Sequence, residues 1–136
     1  MVRALAFLTL ALATACATTR QAPVAGLEGT YALVEVNGQP LSPQTEGEPG
    51  YILDAGSVTF ASPGRFALYV RAHRAGTSDS IERTVGGTYT VAGTTITLTP
   101  DDSAEASGAP EPLTVELGGR RLVSRSSGKS LVFERR

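Results

Sequence analysis

This sequence predicts an all-β domain, a small antiparallel meander of eight to ten short strands, and three observations carry that expectation. From Leu27 to the C-terminus, short runs rich in Val, Thr, Leu, Ile and aromatic residues alternate with Gly, Pro and Asn punctuation. The runs recur roughly every 8–12 residues, the spacing of sandwiches and barrels rather than of βαβ units. Several alternate apolar and polar side chains with period two, and no amphipathic helical pattern follows residue 17. Folding as a sandwich or closing into a barrel would both satisfy this pattern. Closure is the expected form because it removes the exposed edges of a meander.

The elements follow in order. Thr30 to Val36 reads as a strand ended by Asn37-Gly38, a strong short hairpin signal, and Gln39 to Leu41 starts the return strand. A polar stretch runs to Gly50. Tyr51 to Leu53 is a short strand, and Ser57 to Ala61 is another, with Val58 and Phe60 on one face. Pro63-Gly64 turns the chain into Arg65 to His73, where Phe66, Leu68 and Val70 share a face. After a turn at Gly76 to Asp79 come Ile81 to Val85 and Thr88 to Val91, with Gly86-Gly87 between them expected to mark a bulge or sharp bend. Thr94 to Thr99 sets Ile96 and Leu98 against threonines, and Pro100 to Pro112 reads as a loop rich in Asp, Ser, Ala and Gly. Leu113 to Leu117, Arg120 to Ser124 and Ser130 to Glu134 complete the meander.

The N-terminus is of a different kind. Met1-Val2-Arg3 carries a positive charge, and Ala4 to Ala15 is an uncharged apolar run of signal-peptide length, too short to span a bilayer. Leu12-Ala13-Thr14-Ala15-Cys16 resembles the lipobox of bacterial lipoproteins, with Ala13 where Leu is commonest. That resemblance implies a helical signal segment over 1–15, removed by cleavage between Ala15 and Cys16, and lipid on the Cys16 thiol and its new amino group. Several acyl chains, at about 0.8 kcal/mol per buried methylene, hold a protein to a membrane where one chain is marginal. Ala17 follows the cysteine rather than an Asp, which implies the outer membrane, facing the periplasm, if the cell is Gram-negative. Residues 16–26 suit a flexible tether, and 27–136 form the domain.

Cys16 is the single cysteine, so neither an internal disulfide nor a cysteine metal set is expected. The net charge is −1, and removing residues 1–15 takes away Arg3 and brings the side-chain charge to −2. Nucleic acid is not an expected partner at that balance.

LEGTYALVEVNGQPL near the start, GSVTFASPGRFAL, GGTYTVAGTTITLTP and the closing KSLVFERR together resemble small bacterial lipocalin-like domains over residues 27–136. In lipocalins a Gly-x-Trp near the start of the first strand plugs the barrel floor, and a basic residue late in the last strand covers that ring. Tyr31 stands in the Trp place here, and Arg135 is the candidate cover. The resemblance implies a barrel that holds, or once held, a ligand. Tyr31, Leu33, Phe60, Phe66, Leu68, Tyr89, Ile96, Leu98, Leu117, Leu122 and Phe133 are expected to line the interior. An eight-stranded barrel is just wide enough to be filled by such side chains or to hold one small ligand.

Other chemistry is thin. His73 is the only histidine and is expected to face solvent near a hairpin tip, without a nucleophile in a recognisable elbow. Gly128-Lys129-Ser130 ends like a phosphate loop, but Val123 stands where the pattern needs Gly and no helix follows. Asp101, Asp102 and Glu105 lack EF-hand spacing and are expected as a solvated loop. Arg71, Arg74 and Arg83 could gather into a basic patch, with Arg120 and Arg121 near another turn; solvated outward charges are the expected state. The expectation is therefore a non-enzymatic, monomeric, lipid-anchored envelope protein without cofactor or metal, whose barrel binds a small hydrophobic molecule. The alternative is a non-catalytic interaction or scaffold module that contacts another envelope protein.

Overall fold

The computed structural model describes residues 26–46, 50–101, 112–126 and 128–136. The expected signal segment over 1–15, Cys16 and the expected tether up to Ala25 lie outside the described residues, as do Asp102 and Glu105. Nine strands run β1 (Gly29–Val36), β2 (Gln39–Pro40), β3 (Tyr51–Ala61), β4 (Arg65–Arg74), β5 (Ser80–Ala92), β6 (Thr95–Pro100), β7 (Leu113–Gly118), β8 (Arg121–Ser126) and β9 (Lys129–Arg135). No helix occurs among the described residues.

Every pairing is antiparallel and, β2 apart, joins sequence neighbours; β9 then returns to pair with β1. Eight strands, β1 and β3 to β9, thus close a barrel, and β2 is a short hairpin arm on β1. The Asn37-Gly38 turn has φ values of 51° and 78°, so both central residues are left-handed as a type I′ hairpin requires. Asn37 also ties that hairpin to β9, its N–H donating to the Ser130 carbonyl at 2.7 Å and its Oδ1 accepting from the Ser130 N–H at 2.9 Å.

Two bulges set which side chains face inward. The β1–β9 register shifts between Leu33 and Glu35, so Tyr31 and Leu33 point inward and then Val36 does, leaving Glu35 outside. The β3–β4 register shifts between Leu53 and Ala55, so Leu53 is inside together with Gly56, Val58 and Phe60. Tyr51 to Leu53 and Ser57 to Ala61, expected as two strands, are one strand carrying this bulge at Asp54.

Of the bulge or sharp bend expected at Gly86-Gly87, the bulge is corrected. Pairing of β5 with β4 runs without a register shift from His73↔Ser80 to Arg65↔Thr88. Gly87 serves a close approach instead. A Cβ there would lie 2.6 Å from Phe66 Cε1 and 2.8 Å from Pro100 Cα, and would also collide with the Thr99 carbonyl oxygen. Only a residue without a side chain lets β6 pass beside the Phe66 ring.

Candidate functional site

The interior of the barrel is the feature on which the fold converges, and its two ends differ. At the end where the chain enters, Leu27 and Tyr31 are buried to about 1% exposure beneath the last strand. Tyr31 meets Phe60 edge-on, with ring centroids 5.8 Å apart at 84°, and Phe60 meets Tyr89 at 5.0 Å and 85°. This edge-to-face chain is the arrangement that ring quadrupoles favour, and it fills the floor. The Tyr89 hydroxyl titrates above the usual tyrosine value, because burial disfavours its charged form and the Glu28 carboxylate adds repulsion.

Arg135 closes the floor from outside. Its Nη1 donates to the Gly26 carbonyl, its Nη2 to the Glu28 carbonyl at 2.6 Å, and its Cζ lies 5.9 Å from the Tyr31 ring centroid. The planar guanidinium can bridge two backbone carbonyls and cover a ring at once, which an ammonium cannot. Gly29 belongs to the same device. Its φ is 132°, and a Cβ there would sit 3.3 Å from Arg135 Nη2. Gly29-Thr30-Tyr31 and Arg135 are therefore one floor plug, assembled from both ends of the described chain.

The opposite end carries the β1–β2, β4–β5, β6–β7 and β8–β9 connections. Here the inward-facing Val70, Leu113 and Leu131 are partly buried and pack against the core, and among the described residues no plug like that of the floor covers them. Gly56 faces Leu33 in this region, where a Cβ would lie 3.1 Å from Leu33 Cδ2, so the missing side chain makes room for the leucine.

Of the residues expected inside, Tyr31, Leu33, Phe60, Phe66, Ile96, Leu98, Leu122 and Phe133 are buried in one cluster. Leu68, Tyr89 and Leu117 are half-buried and pack against it. The cluster also contains Leu27, Val36, Leu53, Val58 and Val115. Val58 and Val115 follow from strand alternation alone. Val36 and Leu53 lie beyond the two bulges, and Leu27 precedes the first strand, so periodicity does not reach them.

The remaining candidates are rearranged on the surface. His73 does not simply face solvent: it is half-buried, and its Nδ1 lies 2.8 Å from Asp54 Oδ1. Asp54 reaches it because the β3 bulge turns that residue to the outer face. Arg71, Arg74 and Arg83 do not form one patch. Register sets Arg71 on the outer face opposite Glu82, whereas Arg74 and Arg83 share the inner-face parity of Val70 and Val85. Arg71 and His73 border an open groove with Asp54, Ser80 and Glu82. On the same outer face, partial desolvation and a hydrogen bond with Glu82 raise the Tyr69 hydroxyl above its ordinary titration range.

Arg120 and Arg121 are engaged separately. Arg120 Nη2 donates to the Arg135 carbonyl at 3.2 Å, and Arg121 Nη2 lies 3.5 Å from Glu134 Oε2. Asp101 is held by Arg65 through a two-pronged contact of 2.6 and 3.3 Å, which pins the end of β6 to the start of β4. Among the described residues no group of three or more His, Cys, Asp or Glu could hold a metal ion.

The sequence matches no protein-family model and none of the curated proteins. Two solved structures resemble the chain over most of its length. A lipocalin-like protein from Bacteroides uniformis matches with a TM-score of 0.53 at 16% identity, covering 81% of this chain and 98% of its own. An uncharacterized protein from Bacteroides eggerthii matches with a TM-score of 0.50 at 17% identity, covering 81% and 99%. Likeness at such low identity concerns the fold alone. Closed by β1–β9 pairing and plugged at one end, the described chain has a lipocalin-like β-barrel fold.

Proposed function

We propose that this chain is a non-catalytic, lipid-anchored protein of the bacterial cell envelope whose barrel holds one small hydrophobic molecule. The observation that carries the ligand reading is the asymmetry of the barrel. One end carries the plug of Leu27, Tyr31 and Arg135, while among the described residues no counterpart plug covers the inward-facing, partly buried Val70, Leu113 and Leu131 at the other end. A one-ended apolar interior lets a molecule enter and be held without passing through, and apolar lining supplies affinity through burial. Because the aromatic floor is filled, the site is confined to the outer half and suits a small molecule or a single short chain.

The anchor rests on the sequence around Cys16. Acylation there would hold the domain at the membrane surface, within reach of apolar cargo. Native mass spectrometry of the full chain extracted from its own envelope tests the ligand reading. A reproducible non-covalent apolar adduct is expected; repeated ligand-free spectra would overturn it. Cys16→Ser is expected to move the protein out of the membrane fraction, and retention there would overturn the anchor.

A further inference from the structure

Among the described residues, the first half of β5 is paired with a strand on one side only. Strand β4 covers one side of it from Ser80 to Thr88, but β6 pairs on the other side only from Gly87 onward. Among the described residues no strand covers Ser80 to Val85 on that side. Three hydrogen bonds give the phase of this edge. Asp79 offers its carbonyl to the Arg74 N–H and Tyr89 donates to the Gly64 carbonyl, so odd-numbered residues bond toward β4. Gly86 accepts from the Asp101 N–H on the β6 side, so even-numbered residues bond outward. Among the described residues, Ser80, Glu82 and Thr84 therefore present unpaired N–H and C=O groups. Between them stands Ile81, the one large hydrophobic residue that is strongly exposed among the described residues, at 51%.

We infer that this edge pairs with the same edge of a second copy of the chain, antiparallel and two-fold symmetric about Ile81. Directly opposed residues in an antiparallel pair point to the same face, so a two-fold register must centre on one residue facing its own copy. Centring on Glu82 sets two carboxylates against each other, and centring on Arg83 sets two guanidiniums. Centring further along, on Thr84, drives the incoming strand into Asp101, which already occupies Gly86. Centring on Ile81 opposes the two isoleucines at a non-hydrogen-bonded position, where side chains approach most closely. Ser80 and Glu82 then exchange backbone hydrogen bonds across the axis, and Asp79 of each copy faces Arg83 of the other. Asp79 and Arg83 are both exposed, and neither has an ionic partner within the described chain. The monomer expected from sequence is thus replaced by a weak, self-complementary pair, independent of any ligand in the barrel. Tethering in a membrane would favour it by raising local concentration.

Disulfide trapping in cells that express the full chain tests this pairing. Opposed Cα atoms about 4.5 Å apart at a non-hydrogen-bonded pair lie within disulfide reach. Ile81→Cys is therefore expected to yield a covalent pair of chains under mild oxidation. The unsubstituted chain controls for Cys16. Thr84→Cys, whose symmetry mate would be about 20 Å away, is expected to yield none. Adding Asp79→Arg to Ile81→Cys places like charges opposite each other and is expected to lower trapping about tenfold. Adding Arg83→Asp as well restores the opposed pair and should restore trapping, which also shows that the charge variants fold. No trapped pair from Ile81→Cys, equal trapping from Thr84→Cys, indifference to Asp79→Arg or no recovery in the double reversal would overturn the inference. So would a trapped product whose mass is not that of two chains.

Discussion

Replacing Arg135 by Ala removes the outer half of the floor plug without touching the buried rings. Two charge-assisted hydrogen bonds are lost, to the Gly26 and Glu28 carbonyls, together with the cation–π contact to Tyr31. Surface exposure discounts each contribution. An exposed cation–π contact is worth about 0.5–1 kcal/mol. The two hydrogen bonds together add roughly 1–2 kcal/mol, because water replaces part of what is lost. The expected destabilisation is therefore about 2 kcal/mol, or a fall in Tm of roughly 8 °C at about 4 °C per kcal/mol for a domain of this size. Thermal unfolding of the full chain, followed by far-ultraviolet circular dichroism, measures it. Near-ultraviolet circular dichroism should also lose tyrosine signal below the transition, as Tyr31 gains freedom. Arg135→Lys keeps the charge over the ring but not the two-carbonyl bridge, and should fall between wild type and Ala. An Arg135→Ala variant within about 0.5 °C of wild type, with an unchanged near-ultraviolet spectrum, would refute the floor-plug reasoning.

Other consequences follow from single contacts. Gly87→Ala drives a methyl group against the Thr99 carbonyl, Phe66 and Pro100, and should cost about 3 kcal/mol in urea unfolding; a change below about 0.5 kcal/mol would show that β6 can move aside. Asp54→Ala and His73→Ala should each destabilise by about 1 kcal/mol, and the double variant should cost little more than either alone, whereas full additivity would deny the Asp54–His73 pair. Ultraviolet titration of wild type against Tyr89→Phe should show Tyr89 ionising above the ordinary tyrosine range. A raised tyrosine pKa means that the fold favours the neutral hydroxyl. The associated stability is complete below the unfolded value near about 10 and is lost as pH rises through the folded value. Ionisation of Tyr89 at or below the ordinary value would contradict its burial beside Phe60 and Glu28.

How far the fold was legible depended on what each feature needs. Strand alternation carries Phe66, Ile96, Leu98 and Leu122 inward without further information, because β4, β6 and β8 keep their phase. Bulges break that rule. The extra residues near Val34 and Asp54 reverse the alternation, which puts Val36 and Leu53 inside and brings Asp54 to His73. A bulge is fixed by the pairing partner; for β1 that partner is β9, far away in sequence, whereas for β3 it is the adjacent β4. Gly86-Gly87 shows the converse: the pair reads as a bulge or bend, yet the register is unbroken and Gly87 provides clearance for a neighbouring strand. Arg135 came within reach through the likeness to lipocalins at Gly29-Thr30-Tyr31, since no local pattern links residues 107 positions apart. The edge of β5 that no described strand covers was not legible, because edges exist only once the strand order is known.

Titration of the full chain with an apolar fluorescent probe, beside a Val70→Phe variant, tests the proposed ligand-holding role of the barrel most directly. Val70 faces inward opposite Gly56, in the half of the barrel away from the floor plug. One saturable site in the wild type, weakened at least about tenfold by the added ring, is the predicted result. Absence of saturable binding, or binding indifferent to Val70→Phe, would contradict it.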